Sequence, residues 1–246
     1  MNKTMFVSHG DKGGVGKSMT AIAMIERLLM AGVGRLALID GDVRKDVGDR
    51  YLDVTEIRAG LLPLNRPGAE AANAVTRLAT WIETEDPDAL VVNLPSGAGE
   101  TLDGLSQILR GVCDGLGIRM VVTYSLGMTD ALTAGMVLSL KEGLLSHVDP
   151  ANRAAVYPLF SGPKEFFLWS QSKDRARYPM REIEMPRFGA IASLKKMLDT
   201  PGRIVELGER GAPGWLIVDR INVAEWIHAA MRSLDPIMQE NDHEDR

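Results

Sequence analysis

Cysteine is almost absent from this sequence, which contains one, Cys113, among 246 residues. One thiol cannot form an internal disulfide, and the amino-terminal residues MNKTMFVSHG lack an apolar segment of signal-peptide length. No apolar run approaches the ~20 residues that are needed to cross a bilayer. We therefore expect a protein of the reducing cytoplasm that does not insert into membranes.

Positive charge is also scarce, because 28 lysines and arginines stand against 33 aspartates and glutamates, for a formal net charge of -5. This balance excludes a protein that coats nucleic acid by bulk positive charge and leaves a local basic patch possible. Hydrophobic residues make up 45% of the chain, as in ordinary globular proteins. We expect a single domain over residues 1–240 and a frayed acidic tail over residues 241–246.

Short apolar runs alternate with longer stretches of helical period, which is the pattern of βαβ units around a parallel sheet. The predicted strands cover residues 4–8, 35–39, 89–94, 119–123 and 154–159. The predicted helices, most of them closed by Gly or Pro, cover residues 17–30, 69–83, 100–113, 129–145, 189–198 and 223–234. The periodicity fails over residues 162–186, which we interpret as a long surface excursion. The pattern predicts an α/β fold with a doubly wound, mostly parallel sheet flanked by helices.

A glycine-rich segment, DKGGVGKS at residues 11–18, lies between the first predicted strand and the first predicted helix. Glycines let backbone N–H groups face an anion, and the positive end of the helix dipole adds to the attraction. Lys17 is expected to reach the β- and γ-phosphates of a nucleotide, and Ser18 to bind Mg²⁺. The general phosphate-loop pattern has Gly in place of Asp11, whose carboxylate would repel phosphate unless it points away. The alternative is a glycine-rich turn that merely connects strand and helix.

Written as KGGVGKS, the loop resembles the deviant Walker A motif of the ParA/MinD family of P-loop ATPases. The resemblance implies that ATP or ADP is bound by residues Lys12, Gly13, Gly14, Val15, Gly16, Lys17, Ser18 and Met19. It also implies a role for Lys12, because the corresponding lysine of the family crosses a dimer interface to contact the partner subunit's nucleotide. Such a cation neutralises charge that develops on the transferred phosphoryl group, as an arginine finger does. The alternative for Lys12 is a solvated lysine in a surface loop.

Acidic and amide side chains lie at the carboxyl ends of the second and third predicted strands, where a doubly wound sheet places its ligands. By resemblance to the family's D-x-D motif, Asp42 is expected to orient the attacking water and Asp40 to lie beside the metal. Asn93 stands where the family has a Walker B aspartate, and its amide can accept a hydrogen bond but brings no negative charge. The expected catalytic residues are Lys12, Lys17 and Asp42, and the expected metal ligands are Ser18, Asp40, Asp42 and Asn93. Two acids that cap a turn are the alternative for the D-x-D motif.

The resemblance implies a homodimer that forms on ATP binding, an accessory partner protein, and work in the partition, positioning or conjugal mobilisation of DNA such as a plasmid. Six lysines and arginines over residues 164–187 exceed the four acids of that segment, so that non-specific DNA binding and ordinary solvated charge both stay open. The last predicted helix has apolar spacing but runs into acidic residues. This favours a packed helix over a membrane anchor.

We therefore interpret the chain as a weak Mg²⁺-dependent ATPase that converts ATP to ADP and phosphate. Two other functions stay open. Asn93 is the reason to consider a nucleotide-dependent switch or scaffold that binds ATP and a partner protein with little hydrolysis. A ligase related to the amidating or carboxylating enzymes that share the loop would need a pocket for an acid substrate, and the sequence does not reveal one.

Overall fold

The architecture is a seven-stranded sheet flanked by helices, seen in a computed structural model that describes residues 2–42, 46–64 and 69–238. The strand order is β3-β2-β4-β1-β5-β6-β7, and every neighbouring pair is parallel. The strands are β1 (Thr4–His9), β2 (Leu36–Asp40), β3 (Ile57–Leu61), β4 (Ala89–Asn93), β5 (Arg119–Ser125), β6 (Arg153–Pro158) and β7 (Arg181–Met185). The predicted fold class, a doubly wound parallel α/β sheet, is confirmed. The predicted acidic tail lies outside the described residues.

Helices cover both faces of this sheet. Their bounds are α1 (Lys17–Met30), α2 (Ala69–Glu85), α3 (Ala98–Asp103), α4 (Ser106–Gly115), α5 (Asp130–Glu142), α6 (Leu168–Gln171), α7 (Asp174–Arg177), α8 (Ile191–Asp199), α9 (Ile204–Arg210), α10 (Ile217–Ser233) and α11 (Asp235–Met238). A 3₁₀ turn, Asp49–Tyr51, follows β2. Helix α1 ends as the sequence predicts, because Gly32 adopts a positive φ of 68° that stops the helix.

The central strands are buried on both faces, which is why their sequences are almost continuously apolar. Alternate residues serve opposite layers, because successive side chains of a strand point to opposite faces. Phe6 packs in the core that contains α1 and the carboxyl-terminal helices α8, α9 and α10. Val7 packs in the core that contains α2, α4 and α5.

Two edge strands, β3 and β7, are missing from the predicted set. In β7 only Ile183 and Met185 are buried, and charged residues alternate with them. The strand therefore lacks a continuous apolar run, and it lies in a segment that we expected to be a surface excursion. That expectation is wrong for residues 181–185. In β3 the apolar signal is equally weak, since Gly60 provides no side chain and packs directly under Trp81.

Two helical predictions also need correction. The helix expected over residues 100–113 is two helices, α3 and α4, interrupted at Gly104 and Leu105. Helix α9 was not expected, because its seven residues are too few to establish a helical period. The packed last helix is confirmed: α10 buries Val223, Trp226 and Ile227 against the core that contains α1.

Candidate functional site

The glycine-rich loop lies at the carboxyl edge of the sheet, between the central strand β1 and the amino terminus of α1. Gly14 and Gly16 adopt positive φ values of 80° and 91°, which side chains disfavour. Gly16 is the N-cap of α1 and provides no side-chain hydrogen bond to the helix. Because the first N–H groups of a helix have no intrahelical partners, this terminus can receive an anion.

Lys17 is buried in this loop and folds back over it. Its Nζ atom donates a hydrogen bond to the backbone oxygen of Lys12 at 2.7 Å. Burial lowers the pKa of Lys17, and the charges of Asp42 and Asp11 oppose this effect. Lys12 itself is exposed to solvent. The two lysines of the motif therefore differ in environment: one lines the loop from inside, and the other points outward.

Asp11, the departure from the general phosphate-loop pattern, turns towards α5. A Cβ atom added at Gly135 of α5 would collide with Oδ2 of Asp11, so the carboxylate lies against that helix. Burial raises the pKa of the neighbouring Tyr124, and the negative charge of Asp11 raises it further. The carboxylate thus points away from the anion-binding side of the loop, which is the condition under which Asp11 is compatible with phosphate.

The carboxylate of Asp40 is completely buried at the end of β2, and both of its oxygens accept hydrogen bonds from the protein. Oδ2 receives the backbone N–H groups of Val47 at 3.1 Å and Gly48 at 2.7 Å. Oδ1 receives the backbone N–H of Asp42 at 3.2 Å and the side-chain amide of Asn93 at 3.0 Å. Direct binding of a metal by Asp40 would require some of these hydrogen bonds to break, so the geometry favours a structural role.

Asn93 pairs with Asp40 across the sheet, and both residues end their strands. Its Nδ2 group is used in the bond to Asp40, whereas its buried Oδ1 has no hydrogen-bond partner among the described residues. A buried amide oxygen without a partner is costly unless a donor reaches it. This oxygen suits a donor such as a metal-bound water.

The loop that follows β4 contacts the glycine-rich loop directly. The backbone N–H of Gly97 donates to the oxygen of Asp11 at 3.0 Å, and a Cβ at Gly13 would lie 3.1 Å from Oγ of Ser96. Gly97 has a φ of 74° at the start of α3. A change in either loop is therefore transmitted to the other through backbone contact.

A cleft of about 1290 Å³ opens over these loops. Its polar side is lined by predicted residues, namely Gly13, Gly14, Gly16, Lys17, Ser18, Met19 and Asp42. Lys12 is outside this lining on the surface, and Val15, Asp40 and Asn93 are buried behind it. The structure therefore brings most of the predicted site residues to one cavity and assigns three of them to its support.

Another part of the cleft lining is mainly apolar, apart from Arg187 and Asp199, and was not predicted. It includes Phe160, Met185, Pro186, Phe188, Ile191 and Leu194. The ring of Phe160 lies over the phosphate loop, because a Cβ at Gly16 would be 3.2 Å from its Cε1 atom. The available signal was the MPRF sequence at residues 185–188, which marks the carboxyl end of a strand once β7 is recognised.

Carboxylates alone do not form a metal site here. Among the described residues, no group of three or more His, Cys, Asp and Glu side chains is close enough to hold an ion. Mg²⁺ is commonly bound by one or two protein oxygens together with phosphate oxygens and water. Ser18 and Asp42, which line the cleft, fit that mode, and the unpaired oxygen of Asn93 fits an outer position.

Two of the six basic residues in the segment that we considered for DNA binding form ion pairs within the protein. Arg175 pairs with Glu182, and Lys164 pairs with Glu182 at 3.0 Å and with Glu184 at 3.1 Å. The Nε atom of Arg181 donates to the backbone oxygen of Ala151 at 2.8 Å. As for a membrane, the helices in the described part of the chain are too short or too polar to span one.

Comparisons with known proteins bear on the fold alone. No protein-family model matches the sequence, and no curated protein is similar to it. Among solved structures, chloroplast FtsY from Physcomitrella patens has a TM-score of 0.51 and 13% identity, over 92% of this chain and 65% of that chain. A nucleotide-binding protein from Archaeoglobus fulgidus in complex with ADP has a TM-score of 0.47 and 14% identity, over 78% of this chain and 84% of that chain. This chain thus spans less than two thirds of the length of that FtsY, whose overall fold it shares.

Proposed function

We propose that this chain binds ATP with Mg²⁺ in the cleft, dimerises in that state and hydrolyses ATP slowly. The observation that carries the proposal is the position of the glycine-rich loop, with its positive-φ glycines and buried Lys17, at the mouth of a cleft between two sheet-edge loops and an apolar wall. The polar side suits the phosphates, and the wall around Phe160 and Phe188 suits an aromatic base.

Each residue at the cleft has a chemical task in this proposal. Lys17 gives up its bond to the Lys12 oxygen and binds phosphate oxygens, while Ser18 and Asp42 hold the metal. Bound Mg²⁺ would offset negative charge on the phosphates. Asp42 also orients the attacking water, and Asp40 fixes the backbone on both sides of the loop that carries Asp42.

The dimer is proposed from the resemblance of the loop together with the exposure of Lys12. An ammonium group that is exposed beside the cleft is available to a second copy of the chain, where it would stabilise charge on the transferred phosphoryl group. The single-chain fold leaves Lys12 without a task of this kind, which is why the partner subunit matters to the chemistry.

The test uses purified protein with Mg²⁺ and a non-hydrolysable ATP analogue. We expect the molar mass from light scattering to double with the analogue and to stay monomeric with ADP. Lys12→Ala should keep nucleotide affinity but lose the dimer, whereas Lys141→Ala, which removes another exposed lysine, should change neither. A wild-type chain that binds no nucleotide would refute the whole proposal, and a chain that binds nucleotide as a monomer would refute the dimer.

A switch with little hydrolysis is a second candidate, because Asp40 is saturated with hydrogen bonds and Asn93 is uncharged. These features leave Asp42 as the one carboxylate of the expected metal set that lines the cleft. Phosphate release separates the two functions: an ATPase turns over and loses that activity in Asp42→Asn, whereas a switch dimerises with ATP and releases no phosphate above the Asp42→Asn background.

The biological task that we propose, from the loop's resemblance, is to position, partition or mobilise DNA together with an accessory protein. The ion pairs of Lys164 and Arg175 weaken the segment 164–187 as the DNA-contacting surface. A gel shift of plain duplex DNA with ATP, absent with ADP and lost as salt is raised, would support DNA binding by the dimer. No shift at low salt would refute it.

A further inference from the structure

Asp40 and Asn93 form a buried polar pair at the point where β2 and β4 leave the sheet. Asp40 is 0% exposed and Asn93 1% exposed. Their backbones are also joined, since the N–H of Gly41 donates to the oxygen of Asn93 at 2.9 Å. A Cβ at Gly41 would approach that oxygen to 3.0 Å, so the backbones at the ends of the two strands are already in close contact. This contact leaves the side chains little freedom.

The carboxylate of Asp40 orders the chain on both sides of residues 43–45. It accepts the N–H of Asp42 on one side and the N–H groups of Val47 and Gly48 on the other. A side chain at Gly48 would crowd the carboxylate, because its Cβ would lie 3.2 Å from the Cβ of Asp40. One carboxylate thus holds Asp42 as well as Val47 and Gly48.

A buried carboxylate keeps this position only if its oxygens are fully satisfied by donors. Among the described residues, three of the four donors to Asp40 are backbone N–H groups, those of Asp42, Val47 and Gly48. The fourth is the Nδ2 group of Asn93, which comes from a different strand and ties the carboxylate to the sheet. A carboxylate at position 93 could not donate, and it would place two negative oxygens about 3 Å apart.

We propose that Asn93 is a positioning residue: its amide donates to Asp40 and thereby holds the Asp42 loop at the cleft with no cation required. This inference rests on the proposed function, since the position of Asp42 matters only if phosphate and metal bind beside it. It gives the uncharged residue at position 93 a purpose other than weakened metal binding. The hydrogen bond from Asn93 to Asp40 orders this segment. Two carboxylates at positions 40 and 93 would repel each other unless a cation bridged them.

Amide hydrogen exchange of the nucleotide-free protein, without divalent metal, tests the inference directly. Asn93→Ala and Asn93→Asp should speed exchange at Val47 and Gly48 at least about 10-fold, because a hydrogen bond to a charged group is commonly worth that factor or more. The amides of β1 and β5 should keep their wild-type rates. The matched control is Thr123→Val, which removes a different buried hydrogen-bond donor of the sheet, the hydroxyl that donates to the Val7 oxygen at 3.3 Å.

Two results would overturn the inference. One is unchanged exchange at Val47 and Gly48 in both variants. The other is a uniform rise over the whole sheet that matches Thr123→Val, because that would indicate a general loss of stability. If neither variant folds, NMR of the wild type tests the inference. We expect a scalar coupling across the hydrogen bond from Asn93 Nδ2 to the Asp40 carboxylate. Exchange of that side-chain amide as fast as for an amide free in solvent would refute the inference.

Activity separates this inference from the proposed function. If the wild type is an ATPase, Asn93→Ala should lower kcat at least about 10-fold and change KM for ATP much less, since Lys17 and the glycine-rich loop are untouched. A wild type without nucleotide binding would refute the proposed function and leave the exchange result standing. Normal exchange in the variants would refute the positioning role even in an active enzyme.

Discussion

The Nζ atom of Lys17 lies 2.7 Å from the backbone oxygen of Lys12, so that the ammonium group closes the glycine-rich loop on itself. This bond gives the buried lysine a partner that is neutral and is easily exchanged for a phosphate oxygen. The ammonium donor is charged in both bonds, and the exchange replaces a neutral acceptor with a negatively charged phosphate oxygen. The loop is thus shaped for an anion before one arrives, because the bond to Lys12 already holds the lysine inside it.

Lys17→Ala should lower the affinity for Mg²⁺-ATP about 100-fold, since one charge-assisted contact to phosphate is worth about 1.5–3 kcal/mol. Isothermal titration calorimetry measures the change. The control is Lys3→Ala, which removes a lysine at the opposite end of β1 that pairs with Asp86 and should bind ATP as the wild type does. Equal affinities for Lys17→Ala and the wild type would contradict the phosphate role.

Arg50 joins the segment after β2 to the end of α8. Its guanidinium donates to the backbone oxygens of Leu198 and Thr200 at 3.2 and 2.7 Å, and it is buried. Helix carboxyl termini leave carbonyl groups without intrahelical partners, and a cation satisfies them and interacts with the dipole. Arg50 therefore fixes α8, which forms part of the apolar wall of the cleft.

Arg50→Met should lower the free energy of unfolding by about 2–4 kcal/mol, because several buried carbonyl oxygens lose their donor at once. Urea denaturation measures the loss. Arg58→Met is the control, since the exposed ion pair of Arg58 with Glu85 should contribute less than about 1 kcal/mol. Similar losses in the two variants would show that Arg50 is not a specific clamp.

The sequence predicted the parts of the site that follow one another along the chain. The glycine-rich loop and the acids after β2 stand next to continuous apolar strands, so both motif and position could be recognised. The residues that support the site could not be found in this way. Arg50 binds carbonyl groups about 150 positions away. Asp40 was expected beside a metal from the resemblance of its motif, and the backbone N–H groups that it accepts carry no sequence signal.

The apolar wall was missed for a related reason. Phe160 and Phe188 follow the carboxyl ends of β6 and β7, but β7 alternates charged and apolar residues at a sheet edge and was not recognised as a strand. Without β7, the position of its carboxyl end could not be inferred. Parallel edge strands with one polar face lack the continuous apolar run that identified the central strands.

His9 is completely buried at the end of β1, with its ring centroid 4.8 Å from that of Tyr124 and its Nε2 atom 4.0 Å from Oδ1 of Asp103. Burial lowers the pKa of His9 from 6.5 to about 4; the charge of Asp11 raises it, and that of Lys17 lowers it further. The unfolded state therefore binds more protons than the folded state between these two pKa values. It follows that stability rises with pH across this window.

The free energy of unfolding should fall as pH decreases from 6.5 to 4, by on the order of 3 kcal/mol from His9 alone. The pKa of Asp103 is raised by its own burial, which acts in the opposite direction, so the difference between wild type and His9→Phe isolates the histidine. Urea denaturation across this range measures it. His147→Gln should keep the wild-type slope, and an equally steep slope in His9→Phe would contradict the prediction.

Glu26 of α1 is a buried carboxylate at the amino terminus of α9. It accepts the N–H of Ile204 at 2.6 Å and that of Val205 at 3.4 Å, and the hydroxyl of Tyr51 donates to it at 3.0 Å. Burial raises the pKa of Glu26, although these donors and Arg203 act to lower it. The phosphate-loop helix, the turn after β2 and the carboxyl-terminal helices thus meet at one side chain.

The pKa of Glu26 in the folded state lies above the unfolded value of 4.5. As pH rises past 4.5, the folded state therefore keeps this proton while the unfolded state loses it. Stability from this group is therefore complete below 4.5 and is lost as pH rises through the folded pKa. Glu26→Gln cannot ionise, so the free energy of unfolding of the wild type relative to this variant should decline from pH 4.5 to 8 in urea denaturation, because the contribution of His9 cancels in the difference. At pH 7 the substitution should cost about 1 kcal/mol, because the amide oxygen still accepts the Ile204 N–H while the amide nitrogen faces the Val205 N–H. Relative to the exposed Glu142→Gln, the wild type should show no such decline, and a difference from Glu26→Gln that stays constant with pH would contradict the prediction.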